Sequence, residues 1–106
     1  MVQRKGSSVV YNELRFAELT YVYTDGLAEL LIRKQKDYGP KNISDSPGGP
    51  LNGLRVRMFD KLARINNLVE TGATPENESL RDSFMDIANY AIIAMMVLDK
   101  QWEGVE

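Results

Sequence analysis

Glu78-Ser79-Leu80-Arg81-Asp82-Ser83-Phe84-Met85-Asp86-Ile87-Ala88-Asn89-Tyr90 carries two periods at once, and reading them decides the fold. Leu80, Phe84 and Ile87, continued by Ala91, Met95 and Leu98, recur in steps of three and four, the spacing of one helical face. Glu78, Asp82 and Asp86 recur every fourth residue with Asn89 three further on, and at 100° per residue they span about 80° of the other side. The segment is therefore an amphipathic helix with an apolar stripe and an acidic stripe, and the apolar one is expected to face the core. Thr74 as cap, Pro75 at the first helical position and Glu76 in the first turn predict a start near residue 75, with Asn77 as the other candidate cap. The periodicity carries the helix to about residue 100.

Working outward, Leu51, Leu54, Met58, Leu62, Ile65 and Val69 form a second apolar stripe and predict a helix over 50–69. Arg57, Asp60, Lys61, Arg64 and Asn67 occupy its polar side. Leu27, Leu30, Leu31 and the stem of Lys34 predict another over 24–37. Residues 9–23 mix strand-favouring Val9-Val10-Tyr11 and Tyr21-Val22-Tyr23 with a helical period through Phe16, Leu19, Tyr23 and Leu27. They are read as helical, with Gly26 as a break or kink costing about 1 kcal/mol relative to Ala. Gly and Pro crowd residues 38–50 and 70–75, which are read as loops.

The expected fold is an all-α, compact helical bundle of three to four helices, one domain over 1–106 with 1–12 as an arm. At 106 residues, folding buries roughly 60–70% of the surface an unfolded chain exposes, so little core is spare. The bundle is expected to complete its core by homo-oligomerisation, as a dimer or tetramer. Ala88, Ala91, Met95 and Leu98 would supply one packing face.

The chain has no His and no Cys, which excludes a Ser-His-Asp triad, a thiolate nucleophile and the usual zinc sites. With 13 Lys plus Arg against 15 Asp plus Glu the net charge is −2, which argues against a nucleic-acid partner gripped through many phosphates. The longest apolar run, residues 91–98, is too short to span a bilayer, and no signal-peptide core follows the basic start. A cytoplasmic, non-membrane protein is expected.

The acidic stripe is the candidate site. Ile93 and Met96 prolong it, and these apolar residues would be stranded in water if that face were open. The stripe is thus expected to lean on another helix or subunit, where adjacent carboxylates need neutralising. With oxygen ligands only, Mg²⁺ is the expected cofactor, Mn²⁺ the alternative, held by Glu78, Asp82 and Asp86. Arg57, Lys61 and Arg64 are the complementary cations. Two readings stay open: they pair with the acids as salt bridges, or they hold the phosphates of a nucleotide. In the second reading Lys61 and Arg64 stabilise charge in phosphoryl chemistry. Lys36-Asp37-Tyr38-Gly39-Pro40-Lys41-Asn42 is the other dense spot, a helix end whose Asn42 could hydrogen-bond a base and whose Tyr38 could stack on it. Lys36, Asp37, Asn42 and Arg57 are the expected substrate-binding residues.

Asp37-Tyr38-Gly39 with Asn42, then Arg55, Asp60-Lys61, Arg64 and Asn67-Leu68, then Glu78-Ser79-Leu80-Arg81-Asp82 with Asp86-Ile87-Ala88-Asn89-Tyr90, resemble a family of small phage and bacterial proteins. These are the nucleotide-modification-associated domains of the first type, and the resemblance covers about residues 27–98. It implies a setting in nucleotide or DNA-base modification. More distantly the chain is similar to the MazG-like all-α nucleoside triphosphate pyrophosphohydrolases, which are oligomers holding Mg²⁺ on helix-borne acids. That resemblance maps their paired acids onto Glu78, Asp82 and Asp86. Their earlier Glu-x-x-Glu pair has no counterpart, since this chain has Glu29, Asp37 and Asp60 at other spacings. The expected function is Mg²⁺-dependent nucleotide binding with pyrophosphohydrolysis. The alternative is a non-catalytic nucleotide- or partner-binding module of a phage modification or host-takeover pathway.

Overall fold

The computed structural model describes residues 12–106, and the described residues contain helices and no strand. Helix α1 (Glu13–Tyr38) starts where the Asn12 side chain accepts the Arg15 N–H at 2.9 Å. It runs through Gly26 without interruption, so the expected break there does not occur. It stops at Gly39, whose positive φ of 66° suits a residue without Cβ, and Pro40 follows. A one-turn helix α2 (Lys41–Ser44) lies inside what the sequence reads as loop. Helix α3 (Pro50–Thr71) matches its expected span to within two residues and ends on left-handed Gly72. Apart from Asn12, the expected arm over 1–12 lies outside the described residues.

Helix α4 (Leu80–Leu98) starts five residues later than expected. Ser79 and Asp82 explain the shift. The Ser79 hydroxyl accepts the Asp82 N–H and the Asp82 carboxylate accepts the Ser79 N–H, both at 3.1 Å, a reciprocal capping box that neither Thr74 nor Asn77 can form. Arg64 reinforces this start by donating to the carbonyls of Glu78 and Ser79 and to the buried Ser83 hydroxyl.

Helices α3 and α4 pack antiparallel, since Leu54 meets Ile93 and Val97 at one end while Arg64 meets Ser83 at the other. Helix α1 runs alongside α4 in the same direction, with Tyr23 beneath the Arg81 guanidinium and Lys34 on Asp86. The core is Ile43, Leu54, Ile93, Val97 and Trp102, with Leu31, Tyr90, Ala94 and Val105 packed against it. Trp102, beyond the last helix, is buried and donates its indole N–H to the Pro40 carbonyl at 3.0 Å, pinning the α1–α2 turn.

The orientation of α4 corrects one expectation. Phe84, Met95 and Leu98, read as core-facing, are 55%, 58% and 63% exposed, whereas Ser83, Asn89, Ile93 and Val97 are buried. The C-terminal half of α4 is apolar almost all round, so two faces compete for the core. The face carrying Ile93 and Val97 finds Ile43, Leu54 and Trp102, and it carries Asp86 inward with it. No helix of the described residues is long and apolar enough to cross a membrane.

Candidate functional site

Beside the core, the C-terminal end of α1, α2, the middle of α3 and the middle of α4 enclose a cleft of about 200 Å³. Lys34, Gln35 and Tyr38 come from α1, Asn42 from α2, Arg57 from α3, and Asp86, Asn89 and Tyr90 from α4. Leu31, Ile43 and Ile93 make its apolar wall. Local geometry sets this up. Gly39 and Pro40 turn the chain so that α2 lies across α3, and Gly53 lets the segment after α2 approach, since a Cβ there would collide with the Ser46 hydroxyl. The Asn42 carbonyl then accepts an N–H from Arg57 at 2.9 Å.

Asp86 is the electrostatic centre, with its side chain only 12% exposed. One oxygen meets the Lys34 ammonium at 3.0 Å and the other the Lys61 ammonium at 2.9 Å. Lys61 also reaches Glu78 at 3.1 Å, so one ammonium links two carboxylates. Burial alone would raise the Asp86 carboxyl, but hydrogen bonds from Lys61 and Lys34 outweigh it and hold the group below its ordinary 3.8. Burial would likewise lower Lys61, and Asp86 and Glu78 reverse that, leaving it above its ordinary 10.5. The Tyr90 hydroxyl is pushed above 10.0, by burial first and then by Asp86, despite the nearby cations. It is a neutral donor throughout the physiological range.

Three side-chain atoms in this region are buried with no hydrogen-bond partner: Asn42 Oδ1, Arg57 Nη1 and Asn89 Oδ1. All three residues line the cleft. Arg57 also makes no ion pair among the described residues, where the ion pairs are those of Lys34 and Lys61. An unpaired buried polar group costs about 1–3 kcal/mol, and three such atoms belong to residues around one small cavity.

The three predicted metal ligands do not meet as one group: Glu78 and Asp86 meet at the Lys61 ammonium, and Asp82 stands apart with its carboxylate on the cap of α4. Among the described residues no three acidic, His or Cys side chains stand where they could hold a metal ion. Of the two readings of the cations, the salt bridge is the one observed for Lys61. Arg64 braces the start of α4 and does not line the cleft. Lys36 and Asp37 are exposed and also outside it, because the helix turns their side away while Lys34, Gln35 and Tyr38 face in. Asn42 and Arg57 do line it. Gln35, Asn89 and Tyr90 were not singled out as binding residues from the sequence. The available signal was the series Asp86, Asn89, Ile93, Val97, itself a helical stripe with an amide inside an apolar run.

A family model described as nucleotide modification associated domain 1 matches residues 34–98. The chain belongs to that family. The matched span contains every residue of the cleft except Leu31. No curated protein and no solved structure matches the chain, a MazG-like one included.

Proposed function

We propose that this family member binds a nucleotide in the cleft between α1, α2, α3 and α4 and serves nucleotide or DNA-base modification as a binding module rather than as a pyrophosphohydrolase. The three buried, unpartnered polar atoms around one cavity carry the reading. Charge supports it: on the cleft lining Lys34 and Arg57 stand against Asp86, two cations to one carboxylate, a local surplus that favours an anionic ligand. The binding module, the alternative of the two expected functions, is preferred to hydrolysis because Asp82 caps α4 and Lys61 pairs with Glu78 and Asp86.

The binding form is a homo-oligomer, dimer or tetramer. Phe84, Met95 and Leu98 lie open on α4, and beside them Leu51, Met58, Phe59, Leu62 and Ile87 line an almost wholly apolar groove of about 520 Å³ between α3 and α4. Helix α1 buries none of its residues, and its stretch before Tyr23 runs on past the start of α4 with Leu14, Tyr21 and Val22 exposed. The radius of gyration is 17.5 Å, against about 13 Å for a compact 100-residue domain. A projecting apolar helix end and an unfilled apolar groove on the same chain complement one another between two copies.

Isothermal titration of the full chain with nucleoside mono- and triphosphates, with and without Mg²⁺, tests the binding. Saturable binding is expected without a requirement for Mg²⁺ and without release of pyrophosphate. Arg57→Lys, which keeps the charge but loses the second guanidinium nitrogen, should weaken binding roughly tenfold or more. Absence of binding by any nucleotide would refute the reading, and Mg²⁺-dependent pyrophosphate release would restore the hydrolase.

A further inference from the structure

Resting on that nucleotide-binding reading, we propose that the inner wall of the cleft takes the nucleobase, edge-on, and that the phosphates point outward to the mouth where Lys34 stands half-exposed. The orphaned atoms decide the orientation. Two are acceptors, Asn42 Oδ1 and Asn89 Oδ1, and one is a donor, Arg57 Nη1. A phosphate offers acceptors alone, so it would satisfy the arginine and leave both amide oxygens facing further oxygens.

A heterocyclic edge bearing neighbouring N–H and C=O or ring-nitrogen groups supplies both kinds of partner. A carboxamide, with its oxygen and its NH₂ side by side, pairs with such an edge in bidentate fashion. The rest of the cleft agrees. Leu31 and Ile93 offer apolar contact to the faces of a ring, and Tyr90 lies beside them. The cavity of about 200 Å³ is smaller than the roughly 300–1,000 Å³ typical of a drug-sized ligand, room for a base and not for a whole triphosphate.

Asn89 is 94% buried by its 6% exposure, and it makes the test two-sided. Asn89→Leu is close in size and removes an unsatisfied polar group. If Asn89 served only the fold, replacing it would lower stability or leave it unchanged. If it is kept for the base, the ligand-free variant should melt higher than the wild type while losing binding. Phosphate-free nucleosides of all the common bases, ribose 5-phosphate and inorganic pyrophosphate are titrated in parallel into the full chain and into Asn89→Leu and Asn42→Asp. At least one nucleoside should bind within roughly tenfold of its own monophosphate, with ribose 5-phosphate and pyrophosphate failing to compete, and both variants should lose roughly tenfold or more. Nucleotide binding with no nucleoside binding, or competition by pyrophosphate, overturns the orientation and leaves the nucleotide-binding reading standing. No binding of any nucleotide overturns both. Should Asn89→Leu fail to fold, Asn42→Asp at a half-buried position decides alone.

Discussion

Lys61→Met is the most informative single change, because one ammonium holds two carboxylates from α4 and the loop before it. Methionine keeps most of the stem and its packing and deletes only the charge. Asp86 would keep Lys34 alone as partner, and Glu78 would have no ion pair among the described residues. Breaking a fully buried pair costs about 3–5 kcal/mol, and an exposed one about 0–1 kcal/mol. The Lys61 and Asp86 side chains, 21% and 12% exposed, fall nearer the buried case, while Glu78 at 40% adds little. The expected loss is about 2–3 kcal/mol, read by urea denaturation at one fixed protein concentration. Its pH dependence follows from the two shifts. Asp86 lies below 3.8 in the folded chain, so its contribution is present above that value and is lost as pH falls through the folded pKa. Lys61 lies above 10.5, so its contribution is full below that value and is lost as pH rises through the folded pKa. The difference between wild type and variant should therefore be flat through neutrality and shrink at both extremes. A variant within about 0.5 kcal/mol of wild type at pH 7, or a difference that does not shrink in acid, would refute this account of the acidic ridge.

Two further outcomes follow from the placement of α4. Asp82→Ala should cost about 0.5–2 kcal/mol through loss of the capping box, seen as a lower melting temperature, and should leave nucleotide affinity unchanged; a large loss of binding at unchanged stability would return Asp82 to the site. Phe84→Glu combined with Met95→Lys should convert the assembly to monomer in sedimentation velocity at micromolar concentration. A wild-type chain that already sediments as a stable monomer would remove the oligomer.

The helices at 50–71 and 80–98 were legible because their apolar residues recur at helical spacing over several turns. The start of α4 was misplaced because Thr74-Pro75-Glu76 is a sound local cap, and only the reciprocal Ser79–Asp82 bonds and the hold of Arg64 on the loop carbonyls show which cap wins. Trp102 was invisible as core, since nothing local says that a tail after the last helix returns to Pro40. Of the expected binding residues, Asn42 and Arg57 line the cleft. Lys36 and Asp37 were not separable from Gln35 and Tyr38, because within one helical turn the direction of each side chain depends on where the neighbouring helix lies. The acidic stripe was seen, and so was its need for a neutralising cation. Whether that cation is a metal or an ammonium depends on Lys61, 17 residues before Glu78, reaching across to it.

One rotation of α4 produces both unfinished surfaces of this chain. Turning Asp86, Asn89 and Ile93 inward completes the small core, and it leaves polar atoms unpaired inside and Phe84, Met95 and Leu98 in water outside. Turning the helix the other way would bury Phe84 and Met95 and expose Asp86 to solvent, but Lys34 and Lys61 would lose their shared carboxylate and Trp102 its Ile93 and Val97 contacts. Those ion pairs and that core hold the observed arrangement. Anything that binds the folded chain alone adds to its stability, by about 2.7 kcal/mol at a hundredfold excess over its dissociation constant. On the proposed reading, a base in the cleft and a second copy on the apolar face would each do this, at separate surfaces of the same helix.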